Sequence, residues 1–409
     1  MALFTLSPLA RACLLAFTAG TMASPSLAAS PWHVTDGTTR EVTGSYSASD
    51  PGDSPLLAVG AGSRLETASD GLSFRARGNN LHAADIRDGG SILLGGAILT
   101  TQGTQAHGVR LRDGSLTMSG GSISAGGMAS AGILGSDNAR IGLDNVSISV
   151  GGQNGSGITL NGGELDATGV TITATGAGSS GISLAYATAG SARAMLENVS
   201  ILMRGDSSPA GLMIGNANVQ GRNVTVSATG ETRGVDIYNI TGGRGQLTLS
   251  DSLISTESGD ALYLLGGEAA LENVTAETTG GMAINVNKDA RVSVQGGHFS
   301  TLSDNAHAAW LATADSYAGV SAAEFRTRGD GSHVFNAQYG KARLTDSSLT
   351  SEGNSSYGLY TESEVIAEKL SVLTEGNGST GIFAARGGEV ALKDAQVITQ
   401  GSNSAGLML

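Results

Sequence analysis

The sequence predicts an all-β fold, a parallel β-helix of about 14–15 coils with roughly 24 residues in each. Three observations carry this expectation. A pattern apolar-x-apolar-x-small-x-Gly recurs along the chain, from Leu72–Gly78 through Val170–Gly176 and Val224–Gly230 to Leu370–Gly376. Its closing residues are Gly78, Gly103, Gly127, Gly152, Gly176, Gly205, Gly230, Ser258, Gly280, Ser303, Gly329, Gly353, Gly376 and Gly401, at spacings of 22 to 29 residues. Glycine is abundant, with 62 residues, and proline is rare, with 6, as expected of a body of strand ladders that needs its amides.

Within each unit, apolar residues alternate with Ser, Thr and charged residues, the period of a strand with one face buried and one wet. A second, shorter strand is expected before it, often introduced by a Gly pair, as in Gly162-Gly163-Glu164-Leu165, Gly266-Gly267-Glu268-Ala269 and Gly387-Gly388-Glu389-Val390. A third opens on a single Gly after a polar loop, as in Gly157-Ile158-Thr159-Leu160, Gly181-Ile182-Ser183-Leu184 and Gly381-Ile382-Phe383-Ala384. Three short strands joined by Gly-marked turns make one coil. Aromatic residues are only 4% of the chain, as a narrow interior filled by Val, Ile, Leu and Ala requires. The longest interval, Gly176 to Gly205, places an outward loop near residues 185–192, and that from Gly230 to Ser258 places another near 238–245.

Residues 1–29 read as a secretory signal: Arg11, then the apolar run Ala12–Phe17, then a small-residue cleavage region at Pro25–Ala29 with cleavage after Ala28 or Ala29. The one cysteine, Cys13, lies inside it, so the exported chain draws no stability from disulfides. Residues 30–70 are expected to form an N-terminal cap and first coil, and 71–409 the β-helix, cut mid-coil at Gly406–Leu409. The net charge is −13, one unit more negative without the signal, which disfavours nucleic acid and anionic membranes as partners.

The signal, the cysteine-free acidic sequence and the degenerate Gly-rich coils together resemble the passenger regions of bacterial autotransporters, in particular the pertactin-like adhesins. The resemblance covers nearly all of the exported chain through pattern and composition. It implies a right-handed β-helix, in keeping with the usual hand of parallel crossovers. It also implies export through the periplasm to the cell outer-membrane surface or the medium, and a C-terminal outer-membrane translocator barrel that this sequence does not show. The function it implies is that of a virulence-associated binding protein whose partner is a host cell-surface receptor or matrix protein. A truncated fragment of such a protein is an alternative.

Two Arg-Gly-Asp triplets, Arg204-Gly205-Asp206 and Arg328-Gly329-Asp330, sit in the closing-Gly column where a loop begins, and are the candidate receptor-binding residues the resemblance singles out. The plainer reading is that their glycines belong to the column anyway, with Asn79, Glu231, Asp304 and Asn377 standing where Asp does in other coils. Binding is expected in the loops at 185–192, 204–210, 238–245 and 328–340. Asn145, Asn198, Asn223 and Asn273 precede the same strand position and are expected to stack. Glu197 with Arg222 and Glu368 with Lys393 are expected as neighbours in successive coils.

A β-helical polysaccharide-active enzyme is the catalytic alternative, and it needs clustered carboxylates with a base on one face. No Asp-Asp pair occurs, and His82, His107, His298, His307 and His333 fall in different coils with no evident partner. Gly52-Asp53-Ser54 and Asp304-Asn305-Ala306-His307 look like two esterase blocks, but about nine coils separate them. Catalytic residues, cofactor and metal are therefore all expected to be absent. With Trp310 the one tryptophan in the coils, no aromatic platform is expected either.

Overall fold

A computed structural model describes residues 30–49, 53–184, 192–239 and 243–409. The predicted signal, including Cys13, lies outside the described residues, as do 185–191 and 240–242 in two of the expected loops. The described chain is a parallel β-solenoid without a helix, built from forty-four strands. Each coil adds one strand to each of three ladders. In the coil that ends near Thr278 these are Leu262–Leu265 in the first ladder, Glu268–Glu272 in the second and Thr275–Thr278 in the third. The third ladder is a sheet of 15 strands. At about 4.8 Å per strand, fifteen coils make a rod roughly 70 Å long. The first and second ladders join into one 29-stranded sheet because Ala131–Asp144 and Ser156–Thr168 run through both without a break.

The order of strands is already in place at Trp32–Val34, Thr39–Val42 and Tyr46–Ala48, so residues 30–70 hold the first coil and two strands of the second. Relative strand lengths reverse the sequence expectation. The closing strand of each unit keeps four residues in most coils, as in Thr171–Ala174, while the strand before it has five or six, as in Glu268–Glu272 and Ala192–Glu197. The end of the apolar-x-apolar pattern belongs to the turn, where the chain leaves the ladder.

Coils stack residue on residue, so each position in the repeat becomes a column. One inward column of the third ladder runs Phe74, Leu99, Ile123, Ile148, Ile172, Ile201, Val226, Ile254, Ala276, Phe299, Phe325, Leu349, Val372, Val397. Phe299 and Phe325 stack within it, with ring centroids 4.9 Å apart.

The closing-Gly column has a steric cause. A Cβ on Gly127, Gly152, Gly176 or Gly205 would lie 1.7–2.0 Å from the carbonyl oxygen of the preceding coil's glycine, where no side chain fits. Around residues 230–303 the steric column moves by one residue, to Gly259 and Gly281 rather than Ser258 and Gly280. Buried serines bind the same corner: Ser356 Oγ donates to the Gly329 carbonyl (2.9 Å) and accepts the Ser332 N–H (2.9 Å), and Ser379 repeats this with Gly353 and Ser356.

In most coils the turn between the second and third ladders holds a left-handed residue, and the Gly120-Gly121 and Gly296-Gly297 turns hold two. Asn145, Asn198, Asn223, Asp251, Asn273, Ala322, Asp346, Lys369 and Asp394 all have φ between 49° and 54°. Asn, Asp and Gly reach this conformation at least cost, which explains the asparagine column. Stacking is partial: Asn223 donates to Asn198 Oδ1 at 2.7 Å, while Asn273 donates to Asp251 at 3.4 Å. The predicted ion pairs form, Arg222 with Glu197 at 2.7 Å and Lys393 with Glu368 at 2.5 Å, all four exposed enough to contribute little stability.

Candidate functional site

The outward face of the first ladder differs from the other two. In an ordinary solenoid strand the outward residue is wet, yet here whole strands are buried on both sides. In Arg233–Tyr238 the core takes Val235 and Ile237, and the opposed Asp236 is only 8% exposed; Asn285 and Asn336, in the same outward column, are 6% and 5% exposed. Register places Asp236, Tyr263, Asn285, Trp310, Asn336, Tyr360 and Phe383 in successive coils of that column. Alternation along each strand points them away from the core. The face is therefore a recessed trough in which aromatic rings alternate with short polar groups, corrected from the expectation that no aromatic platform exists.

One wall of the trough is a stack. His307, His333 and Tyr357 stand in consecutive coils just before the strands, with centroids 5.0 and 4.5 Å apart and planes within 13°. Tyr360 lies parallel to this stack, 5.3 Å from His333 and 24° off. Trp310 and Phe383 are turned across it. Trp310 meets His307 at 68°, and Phe383 meets Tyr357 at 90° and Tyr360 at 75°. The rings thus close both ends of a segment three coils long, about 14 Å.

Of His82, His107, His298, His307 and His333, four are not scattered as their sequence positions suggested, while His298 stands apart, 3.5 Å from Glu324. His82 and His107 form a second stack, 5.0 Å apart and 7° from parallel. Each ring is held by the coil above it: Nδ1 of His82, His107, His307 and His333 accepts the backbone N–H of His107, Ala131, His333 and Tyr357 respectively, at 2.9–3.1 Å. An acceptor Nδ1 requires the neutral ring. Burial pushes His82 and His333 down to about 3, and His107 and His307 to about 4, with the neighbouring Arg110 adding to the effect at His82 and His107.

Charges bordering the trough are already matched. Arg233 donates to Asp236 at 2.8 Å and lies 3.7 Å over the Tyr263 ring. Burial still raises the Asp236 carboxyl, against the pull of Arg233. Asp260 accepts from Asn285 Nδ2 (2.8 Å) and from the Met282 N–H (2.8 Å). Glu362 accepts from the Tyr360 hydroxyl at 2.5 Å, and burial with this bond pushes Tyr360 up to about 12. Two polar atoms between the turned rings have no partner: Trp310 Nε1 and Asn336 Oδ1, on residues paired in adjacent coils. Toward the N-terminus the same face becomes ionic, with Asp85 buried under Arg110 (3.1 and 2.7 Å) and Arg87 (3.2 Å).

The two Arg-Gly-Asp triplets lie elsewhere, at the exit of the third ladder. Both glycines are buried in the corner column. Arg204 and Asp206 are exposed. In the second triplet, Asp330 Oδ1 accepts the Asn354 N–H at 2.7 Å, the Asp330 N–H donates to Asp304 Oδ1 at 2.8 Å, and Arg328 lies 3.4 Å from Glu352. Asp330 is thus one rung in an Asx ladder that Asn354 and Asn377 continue. No group of three or more His, Cys, Asp and Glu side chains among the described residues is placed to hold a metal ion.

Fold and face together define a β-solenoid rod with a recessed aromatic trough along one side. No protein-family model and no curated protein matches the chain. Among solved structures it is similar to a chain of the cryo-EM structure of the Vag8–C1 inhibitor complex, with 21% identity and a TM-score of 0.47 over 91% of this chain and 78% of that one.

Proposed function

We propose that this chain is an exported, passenger-type rod that acts by binding a host surface or matrix component, and not by catalysis. The observation that carries the reading is the trough: a solenoid face whose outward column holds half-buried aromatic rings among buried polar groups, where a rod with a purely structural role needs only soluble ones. The export signal and the cysteine-free acidic coils support placement on the outer-membrane surface or in the medium, in the manner of an autotransporter passenger. Catalysis has no support from the side chains of the face, since its acids are each held by an Arg, Asn or Tyr and its histidines are fixed as neutral acceptors. Incubating the purified protein with host cells and extracellular matrix tests this. Saturable attachment that unfolding abolishes is expected; attachment indistinguishable from that of the unfolded chain would overturn it.

A further inference from the structure

The chemistry of the trough names a class of ligand. All along the first ladder the main-chain N–H and C=O groups bond to the coils above and below, as the register Ile284↔Ala309, Ala309↔Phe335 and Phe335↔Leu359 shows. An extended peptide therefore cannot be held there by strand addition, the commonest way a sheet captures one. Recognition falls to side chains alone. Between Asn285 and Phe383 those side chains are amides, neutral histidines and aromatic rings, and the acids against them, Asp260 and Glu362, are occupied by Asn285 and by Tyr360 with Arg386. A charged ligand would find no free counter-charge in the trough, and an anionic one would also meet the net charge of −13.

Trp310 Nε1 and Asn336 Oδ1 sharpen the inference. One is a donor and the other an acceptor, they sit on residues in direct register, and neither has a partner. A buried polar atom gains more from a partner than an exposed one does, so a ligand that pairs both atoms is favoured over one that pairs neither. A hydroxyl is the group that accepts from an indole N–H and donates to an amide oxygen at once. Aromatic rings about two coils apart, Trp310 and then Tyr360, offer apolar surface on either side of that pair. Hydroxyls combined with apolar C–H faces, without charge, describe a sugar.

We propose that the trough from Asn285 to Phe383 binds an uncharged oligosaccharide lying along the rod axis, with Trp310 and Asn336 sharing one sugar hydroxyl and Phe383 closing the far end. This deepens the binding reading above and rests on it. Both unpaired atoms are covered in the free protein, so engagement turns the Trp310 ring or the Asn336 amide outward by side-chain rotation, without moving the ladder.

The test is calorimetric titration of the purified full chain with neutral tetrasaccharides: chitotetraose, cellotetraose, maltotetraose and a galactose-containing tetrasaccharide, with a heparin tetrasaccharide as the charged comparison. Binding of at least one neutral sugar and none of heparin is expected, accompanied by a change in tryptophan emission that Trp310→Phe removes. Trp310→Ala and Asn336→Leu should each weaken binding about tenfold or more, the loss typical of a central anchor. Unchanged far-ultraviolet circular dichroism and unfolding midpoints show that the variants fold, and Phe383→Leu provides a milder change at the same face. No neutral sugar bound, heparin alone bound, or sugar binding that survives both Trp310→Ala and Asn336→Leu would each overturn the proposal. If sugars fail while the protein still attaches saturably to cells, the ligand class is wrong and the binding reading stands; if attachment also fails, both fall.

Discussion

The glycine that opens many strands of the first ladder makes a quantitative prediction. A Cβ built on Gly181 would lie 2.3 Å from Ile201 Cγ2 and 2.4 Å from the Gly211 carbonyl oxygen. Carbon atoms in contact sit about 3.5–4.0 Å apart, so Gly181→Ala forces the Ile201 branch or the backbone to move by more than an ångström. Overpacking of this kind costs about 1–3 kcal/mol. The partner column explains why the glycine is there. Gly108, Gly132, Gly157, Gly181, Gly211, Gly234, Gly358 and Gly381 each face the branch of an Ile or Val in the third ladder. In the same two columns, Ala83, Ala283, Ala308 and Val334 correspond to Leu99, Phe299, Phe325 and Leu349, which carry no branch at Cβ. A double-mutant cycle follows. Ile201→Leu alone should cost less than about 1.5 kcal/mol, and Gly181→Ala with Ile201→Leu should be less damaging than the sum of the two by about 1 kcal/mol or more. Urea unfolding gives the midpoints. Native-state hydrogen exchange in the coil containing residues 180–203 gives the local opening energy, which suits a rod whose coils interact mainly with their neighbours. Strict additivity, or a neutral Gly181→Ala, would refute the pairing of the two columns.

Three further predictions concern stability. Ala322 and Lys369 occupy the left-handed column at φ 53°, so Ala322→Gly or Lys369→Asn should raise the unfolding midpoint by the equivalent of about 1 kcal/mol, read by thermal denaturation. The four stacked histidines have folded values of about 3 to 4, below the ordinary 6.5, so the unfolded chain binds more protons in between. Their stabilisation is complete above pH 6.5 and declines as pH falls toward 4, by at most about 2 kcal/mol for each ring at pH 5; urea midpoints against pH should flatten when all four are changed to Gln. Asp330→Ala should destabilise the rod by about 1 kcal/mol because the Asn354 N–H loses its acceptor, whereas Asp206→Ala should leave the midpoint unchanged.

The coil was legible because its signals are local: alternating strands and corner glycines recur within a few residues of one another. The trough was hidden because its members contribute one residue per coil. Tyr263, Trp310, Tyr360 and Phe383 meet only once the first-ladder register is known, and unequal turns obscure that register in the sequence. A trace was present, since Gly358-Leu359-Tyr360 and Gly381-Ile382-Phe383 place an aromatic ring two residues after the opening glycine, and Ala308-Ala309-Trp310 does so with Ala in the glycine's place. The histidine stacks were missed for the same reason, His307 and His333 being 26 residues apart. Conversely, the Arg-Gly-Asp triplets stood out in one dimension while their glycines answer to the carbonyls of Gly176 and Ser303 in three.

A rod that binds through the recessed face of its first ladder must lose attachment when that face is altered. Attachment of fluorescently labelled protein to host cells, compared across two variants, tests this most directly. Trp310→Ala with Asn336→Leu should abolish attachment while Arg204→Ala with Asp206→Ala leaves it intact. Attachment that survives the first variant and is lost with the second would place binding at the exposed triplet and not in the trough.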